Sequence, residues 1–113
     1  MSAHGFCYDD LFTVPYKENG RGALGMDCYG LCIELCRRAG KRLADVARGE
    51  ALNVRKIPQE KARAGAIVQI GSADTLHIGY VLDRTRFIHM TDGGARVSAL
   101  IQLRDPTFFE VTE

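Results

Sequence analysis

Met26-Asp27-Cys28-Tyr29-Gly30-Leu31-Cys32 marks the point where a Gly-rich loop becomes a helix. From Asp27 onward, Leu31, Leu35 and Ala39 follow helical spacing, and so do Cys28, Cys32 and Cys36. Gly40 reads as the C-cap, with Arg37 and Arg38 in the favourable last turn. Upstream, Pro15-Tyr16 opens a loop that ends at Gly25. The glycines at 20, 22 and 25 let its backbone turn tightly and approach other groups closely. Residues 1–12 fit a short helix or an arm. A second, shorter helix is expected over about 43–50, with Gly49 near its end.

The pattern changes after Pro58. Ala66-Ile67-Val68-Gln69-Ile70 is an apolar run bounded by glycines, as in a buried strand. Gly71-Ser72-Ala73-Asp74 turns the chain. Strands are expected from His77 to Leu82 and from Arg86 to Met90, joined by a tight turn near Asp83-Arg84-Thr85. Asp92-Gly93-Gly94 signals a hairpin into Ala95–Ser98, and Pro106 precedes a last strand over about 107–111. Helices first and an antiparallel meander afterwards give an α+β class. Residues 1–113 read as a single domain, with no linker, internal repeat or low-complexity tract.

Bulk properties narrow the function. The 113 residues suffice for one modest core, and 46% hydrophobic with 26% charged residues is an ordinary globular balance. A formal net charge of +1 gives no strong attraction to nucleic acid or an anionic membrane. The basic residues within 37–63 are interspersed with acids and read as a solvated face. No stretch approaches the roughly 20 apolar residues of a membrane span. No secretory signal is visible, so synthesis is expected to leave the protein in a reducing cytosol with its four cysteines as thiols.

The chemistry-bearing residues are a thiol at a helix start and two histidines on a hairpin. Cys28 is the candidate nucleophile, because a helix start presents unpaired N–H groups and partial positive charge that favour a thiolate. Its alternative reading is a small buried hydrophobe. His77 is the candidate base. A three-residue turn centred on Asp83 would set His77 directly opposite His89. One centred on Arg84 would make them diagonal neighbours, and a two-residue turn would send them to opposite faces. On a shared face, His89 could bond the His77 ring and fix its tautomer. Cys32 and Cys36 continue the stripe of Cys28. No Cys-x-x-Cys pair is present, so they read as packing rather than as metal ligands. Cys7 reads as structural or incidental, and His4 is assigned no role.

At these residues the chain resembles the NlpC-type cysteine peptidases, the papain-like endopeptidases of bacterial cell walls. The matching motifs are Pro15-Tyr16, Asp27-Cys28-Tyr29-Gly30-Leu31, Gly65-Ala66-Ile67-Val68, His77-Ile78-Gly79-Tyr80-Val81 and Phe87-Ile88-His89-Met90. Their order matches the family throughout. The twelve-residue steps from Tyr16 to Cys28 and from His77 to His89 also look like the family's own. The resemblance covers about residues 13–98.

The resemblance implies a papain-like fold, with N-terminal helices packed on the antiparallel meander. It implies Cys28 as nucleophile, His77 as general base and acid, and His89 as the third member that orients His77. Tyr16 would place its phenol near the thiol and the oxyanion, and Asp27 would help hold the amino end of a peptide. The implied reaction is hydrolysis of D-γ-glutamyl amide bonds in peptidoglycan stem peptides through an acyl-enzyme, with no metal or cofactor. Tyr29 replaces the family's usual Ser and should reshape the substrate pocket. Aromatic residues there look like the phage-tail branch, whose members act at the wall from the virion tail beside other tail proteins. Ala66 replaces a common Asp and touches a turn more than the chemistry. Two alternatives are a structural tail-assembly protein with little hydrolysis and a cytosolic thiol amidase on a small substrate.

Overall fold

A computed structural model describes residues 7–71 and 77–112. His4 and the expected turn over 72–74 lie outside them. The expected helix runs as α1, Cys28–Arg38. Asp27 caps it, its side chain accepting from the Gly30 N–H. At the other end Ala39 is the C-cap and Gly40 takes the following position at φ +83°. The Gly40 N–H then donates to the Arg37 carbonyl and the Lys41 N–H to the Cys36 carbonyl, so the last carbonyls are satisfied.

Two short strands, β1 (Arg21–Gly22) and β2 (Gly25–Met26), pair within the Gly-rich loop. Six more form one antiparallel sheet: β3 (Val54–Ile57), β4 (Ile67–Ile70), β5 (His77–Val81), β6 (Arg86–Thr91), β7 (Gly94–Ala99) and β8 (Thr107–Val111). Their order is β3-β8-β4-β5-β6-β7. The meander expected from the sequence is β4 to β7. The last strand returns to pair with both β3 and β4, and β3 itself was not anticipated. The expected helix over 43–50 is only a 3-10 turn at Val46–Arg48, ended by Gly49 in the left-handed region. Gly49 stops the segment after that one turn, and side chains then fix it in place. Asn53 accepts from the Ala44 N–H and donates to the Arg42 carbonyl, while Glu50 accepts from the Asp45 N–H. The arrangement remains α+β, with one α-helix packed on the antiparallel sheet.

The sheet is buried on both faces. Leu31, Cys32 and Leu35 of α1 pack with Ile67, Ile78, Tyr80, Ile88 and Met90. On the other face Val68, Val81, Phe87, Leu100 and Phe108 form a second cluster. Covering on both faces explains why β4 to β6 read as near-continuous apolar runs rather than as alternation. Cys32 and Cys36 are packing residues, and burial pushes their thiols up, that of Cys36 to about 12.

Candidate active site

The hairpin between β5 and β6 settles the histidine geometry. Asp83 accepts from the N–H groups of Thr85 and Arg86, and the Leu82 N–H donates to the Arg86 carbonyl. The turn therefore holds three residues centred on Arg84. Gly79 pairs with His89, which leaves His77 one diagonal step away on the same face. His77 Nε2 lies 2.9 Å from His89 Nδ1. Gly79 is required beside them. A Cβ there would lie 2.8 Å from Phe87 Cδ2 and 3.1 Å from the Ile88 carbonyl oxygen.

His77 shares a cleft of about 660 Å³ with Cys28, Tyr16, Asp27, Glu18 and Asp92. Cys28 comes to it as the first residue of α1, and His77 as the first residue of β5. With His77 Nε2 taken by His89, Nδ1 is the ring nitrogen free of that bond. Burial lowers the His77 pKa below its ordinary value. His89 is lowered to about 4 by burial, then by the charges of His77 and Arg96.

Tyr16 is 43% exposed at the cleft and is held there by a parallel bridge to Met26. Partial burial, with Glu18, Asp27 and Asp92 nearby, raises its phenol, so the O–H stays available as a donor at neutral pH. Tyr29 is not brought into this cleft. Its hydroxyl donates to the Ala44 carbonyl at 2.7 Å, and its ring lines a separate apolar cavity of about 100 Å³ with Leu43, Leu52 and Phe109.

Asp27 is committed to local structure as well as to the cleft. Its Oδ1 accepts from Gly30 N and Arg21 Nη1, and its Oδ2 from Asn19 N. Arg21 also grips Asp45 through two bonds at 2.8 and 3.2 Å. One guanidinium thus ties the Gly-rich loop to the start of α1 and to the 43–50 segment. The sequence reading missed Arg21, Asp45 and Ser98, whose Oγ lies 3.1 Å from His89 Nε2. A single arginine between two glycines gives little signal for such a clamp. Ser98 was within reach, since carrying the pairing one hairpin further places it diagonal to His89. Among the described residues no group of three or more His, Cys, Asp or Glu side chains is arranged to hold a metal ion, and no helix is long and apolar enough to cross a membrane.

The lowered histidines predict a pH effect on stability. The folded value of His89, about 4, lies below its ordinary 6.5. Above 6.5 the ring is neutral folded and unfolded, and its contribution is complete. As pH falls toward 4 the unfolded chain takes a proton that the folded chain resists, so stability is lost. His77 adds in the same direction. Asp83, held down at about 2 chiefly by Arg86, loses its contribution at lower pH. Thermal melts should therefore fall between about pH 7 and 4.5, and His89→Gln should flatten the decline. An equally steep decline in that variant would assign the loss to other groups.

The NlpC/P60 family model matches residues 13–107. No curated protein gives a sequence match. Among solved structures, the fold is similar to the crystal structure of the NlpC/p60 domain of the peptidoglycan hydrolase SagA. The TM-score is 0.64 at 23% identity, over 94% of this chain and 92% of that one. With most of its length matched by the family model and its fold shared, the chain belongs to the NlpC/P60 family of cysteine peptidases.

Proposed function

We propose that this protein is a cell-wall cysteine peptidase that hydrolyses D-γ-glutamyl amide bonds in peptidoglycan stem peptides. The observation that carries the reading is one cleft lined by Cys28, His77 and Tyr16, with the far nitrogen of His77 held by His89. His77 Nδ1 takes the Cys28 proton, and the thiolate attacks the scissile carbonyl carbon. The Tyr16 hydroxyl donates to the developing oxyanion. His77 then protonates the leaving amine as the C–N bond breaks. Water, giving its proton to His77, adds to the thioester and the C–S bond breaks, restoring the thiol.

The cleft carries Glu18 and Asp92, together with Asp27, whose charge Arg21 already pairs, and no Lys or Arg is among its described lining residues. That negative charge suits a peptide with a free ammonium, as on the diamino acid that follows D-glutamate. Tyr29 influences recognition from behind, by bracing the 43–50 segment through Ala44.

The aromatic residue after the nucleophile supports placing the protein among phage or prophage tail components. It would be made in the cytoplasm, carried with other tail proteins and act at the wall. The Cys28, His77 and His89 set supports hydrolysis over a purely structural tail role. Digestion of purified muropeptides followed by mass spectrometry tests the activity. Fragments ending at D-glutamate are expected, and intact stem peptides after prolonged incubation at high enzyme would refute the reading.

A further inference from the structure

His77, His89 and Ser98 stand on three adjacent strands. His89 pairs with Gly79 on one side and with Arg96 on the other. His77 lies two residues before Gly79 and Ser98 two residues after Arg96, so the three side chains follow one diagonal across β5, β6 and β7. The contacts run along it without a gap: His77 Nε2 to His89 Nδ1 at 2.9 Å, and His89 Nε2 to Ser98 Oγ at 3.1 Å.

A neutral imidazole has one N–H and one lone pair, so the direction of one bond in this row sets the next. If Ser98 Oγ accepts, His89 carries its proton on Nε2 and turns the Nδ1 lone pair to His77. His77 must then carry its own proton on Nε2, which leaves its Nδ1 lone pair in the cleft, able to accept a proton from Cys28. If Ser98 donates instead, every step reverses. His77 would then present an N–H to the cleft and could not act as a base.

We infer that Ser98 is a positioning residue of this site: its hydroxyl accepts from His89 Nε2 and so fixes both histidines in the tautomers that general-base catalysis needs. The inference rests on the cysteine-peptidase reading above. Arg96, beside His89 on β7, and His77 on β5 are the charged or titratable groups that act on this ring. Neither contacts His89 Nε2, and a hydroxyl can donate or accept there; only the accepting direction leaves His77 Nδ1 unprotonated, as the peptidase reading requires.

Imidazole ¹⁵N NMR of the whole chain near neutral pH reads the tautomer without turnover. In the parent, His89 is expected to show a protonated Nε2 and an unprotonated Nδ1. Ser98→Ala should give mixed tautomers and lower kcat about tenfold on a γ-glutamyl peptide, with KM moving less than about twofold. Ser98→Thr, which keeps the hydroxyl, should restore both. A protonated Nδ1 in the parent overturns the proposal. So does an unchanged tautomer in Ser98→Ala, or a changed tautomer with an unchanged rate. Cys28→Ala in the same assay addresses the underlying reading separately. If it still cleaves, the cysteine mechanism fails, while the NMR result continues to decide what Ser98 does to His89.

Discussion

Cys28→Ala is expected to lower kcat/KM on a γ-glutamyl peptide by at least about 10⁴-fold, and His77→Ala by at least about 10³-fold. The two side chains act on one proton and one carbonyl, so the double variant should be little worse than Cys28→Ala alone. Thiol alkylation gives a second view that needs no substrate. Cys32 and Cys36 are buried with raised pKa values and should stay unlabelled in the folded protein. Cys7 is exposed and should react at the pace of an ordinary thiol. Cys28 should react faster than Cys7 in the parent and fall to the same pace in His77→Ala. Equal slow labelling of Cys7 and Cys28 in the parent would show that no activated nucleophile is present.

Gly30→Ala should cause a large loss of stability at the site. A Cβ there would sit 2.2 Å from the Gly20 carbonyl oxygen. That oxygen cannot simply retreat, because it also accepts from Arg21 Nη1 at 2.9 Å and from the Asp27 N–H at 3.4 Å. Relief requires the Gly-rich loop to lift from α1, which strains the Arg21 clamp and moves Asn19, Glu18 and Tyr16 at the cleft. A cost of about 3 kcal/mol is expected, corresponding to a drop of roughly 15 °C in Tm. Gly22→Ala is the control, since a Cβ there meets nothing within 4 Å. If both variants melt together, the close approach of Gly30 to Gly20 is not what holds the loop.

The parts of the fold visible in the sequence are those set by local rules. Helical spacing, Gly40 and the flanking arginines place α1, and the turn residues at 83–85 and 92–94 place the meander. Hairpin parity reduced the two histidines to a choice of turn, which Asp83 resolves by accepting from the two N–H groups of Thr85 and Arg86. Long-range partners decide what was missed. Val54-Arg55-Lys56-Ile57 is short and carries two exposed cations in the middle, and only pairing with β8 makes it a strand. The 43–50 segment has an acceptable helical pattern, but Gly49 in the left-handed region ends it after a single 3-10 turn. Cys28 and His77 were legible from the residues themselves, Tyr16 and Asp27 only through the family resemblance, and all four line one cleft. Tyr29 was legible only as a departure, because its partner Ala44 lies fifteen residues away.

The position of β8 has a consequence for synthesis. Translation completes β3 through β7 before β8 has been made, yet β8 is the strand that joins β3 to β4. A nascent chain halted before Thr107 therefore holds two unpaired strand edges and lacks Phe108, which is almost fully buried in the finished sheet. Sheet assembly must wait for β8 to leave the ribosome, and contacts between such distant segments form slowly. Until then the unfinished sheet is open to pairing with neighbouring chains, so expression yield should depend more on Thr107–Val111 than their distance from the cleft would suggest.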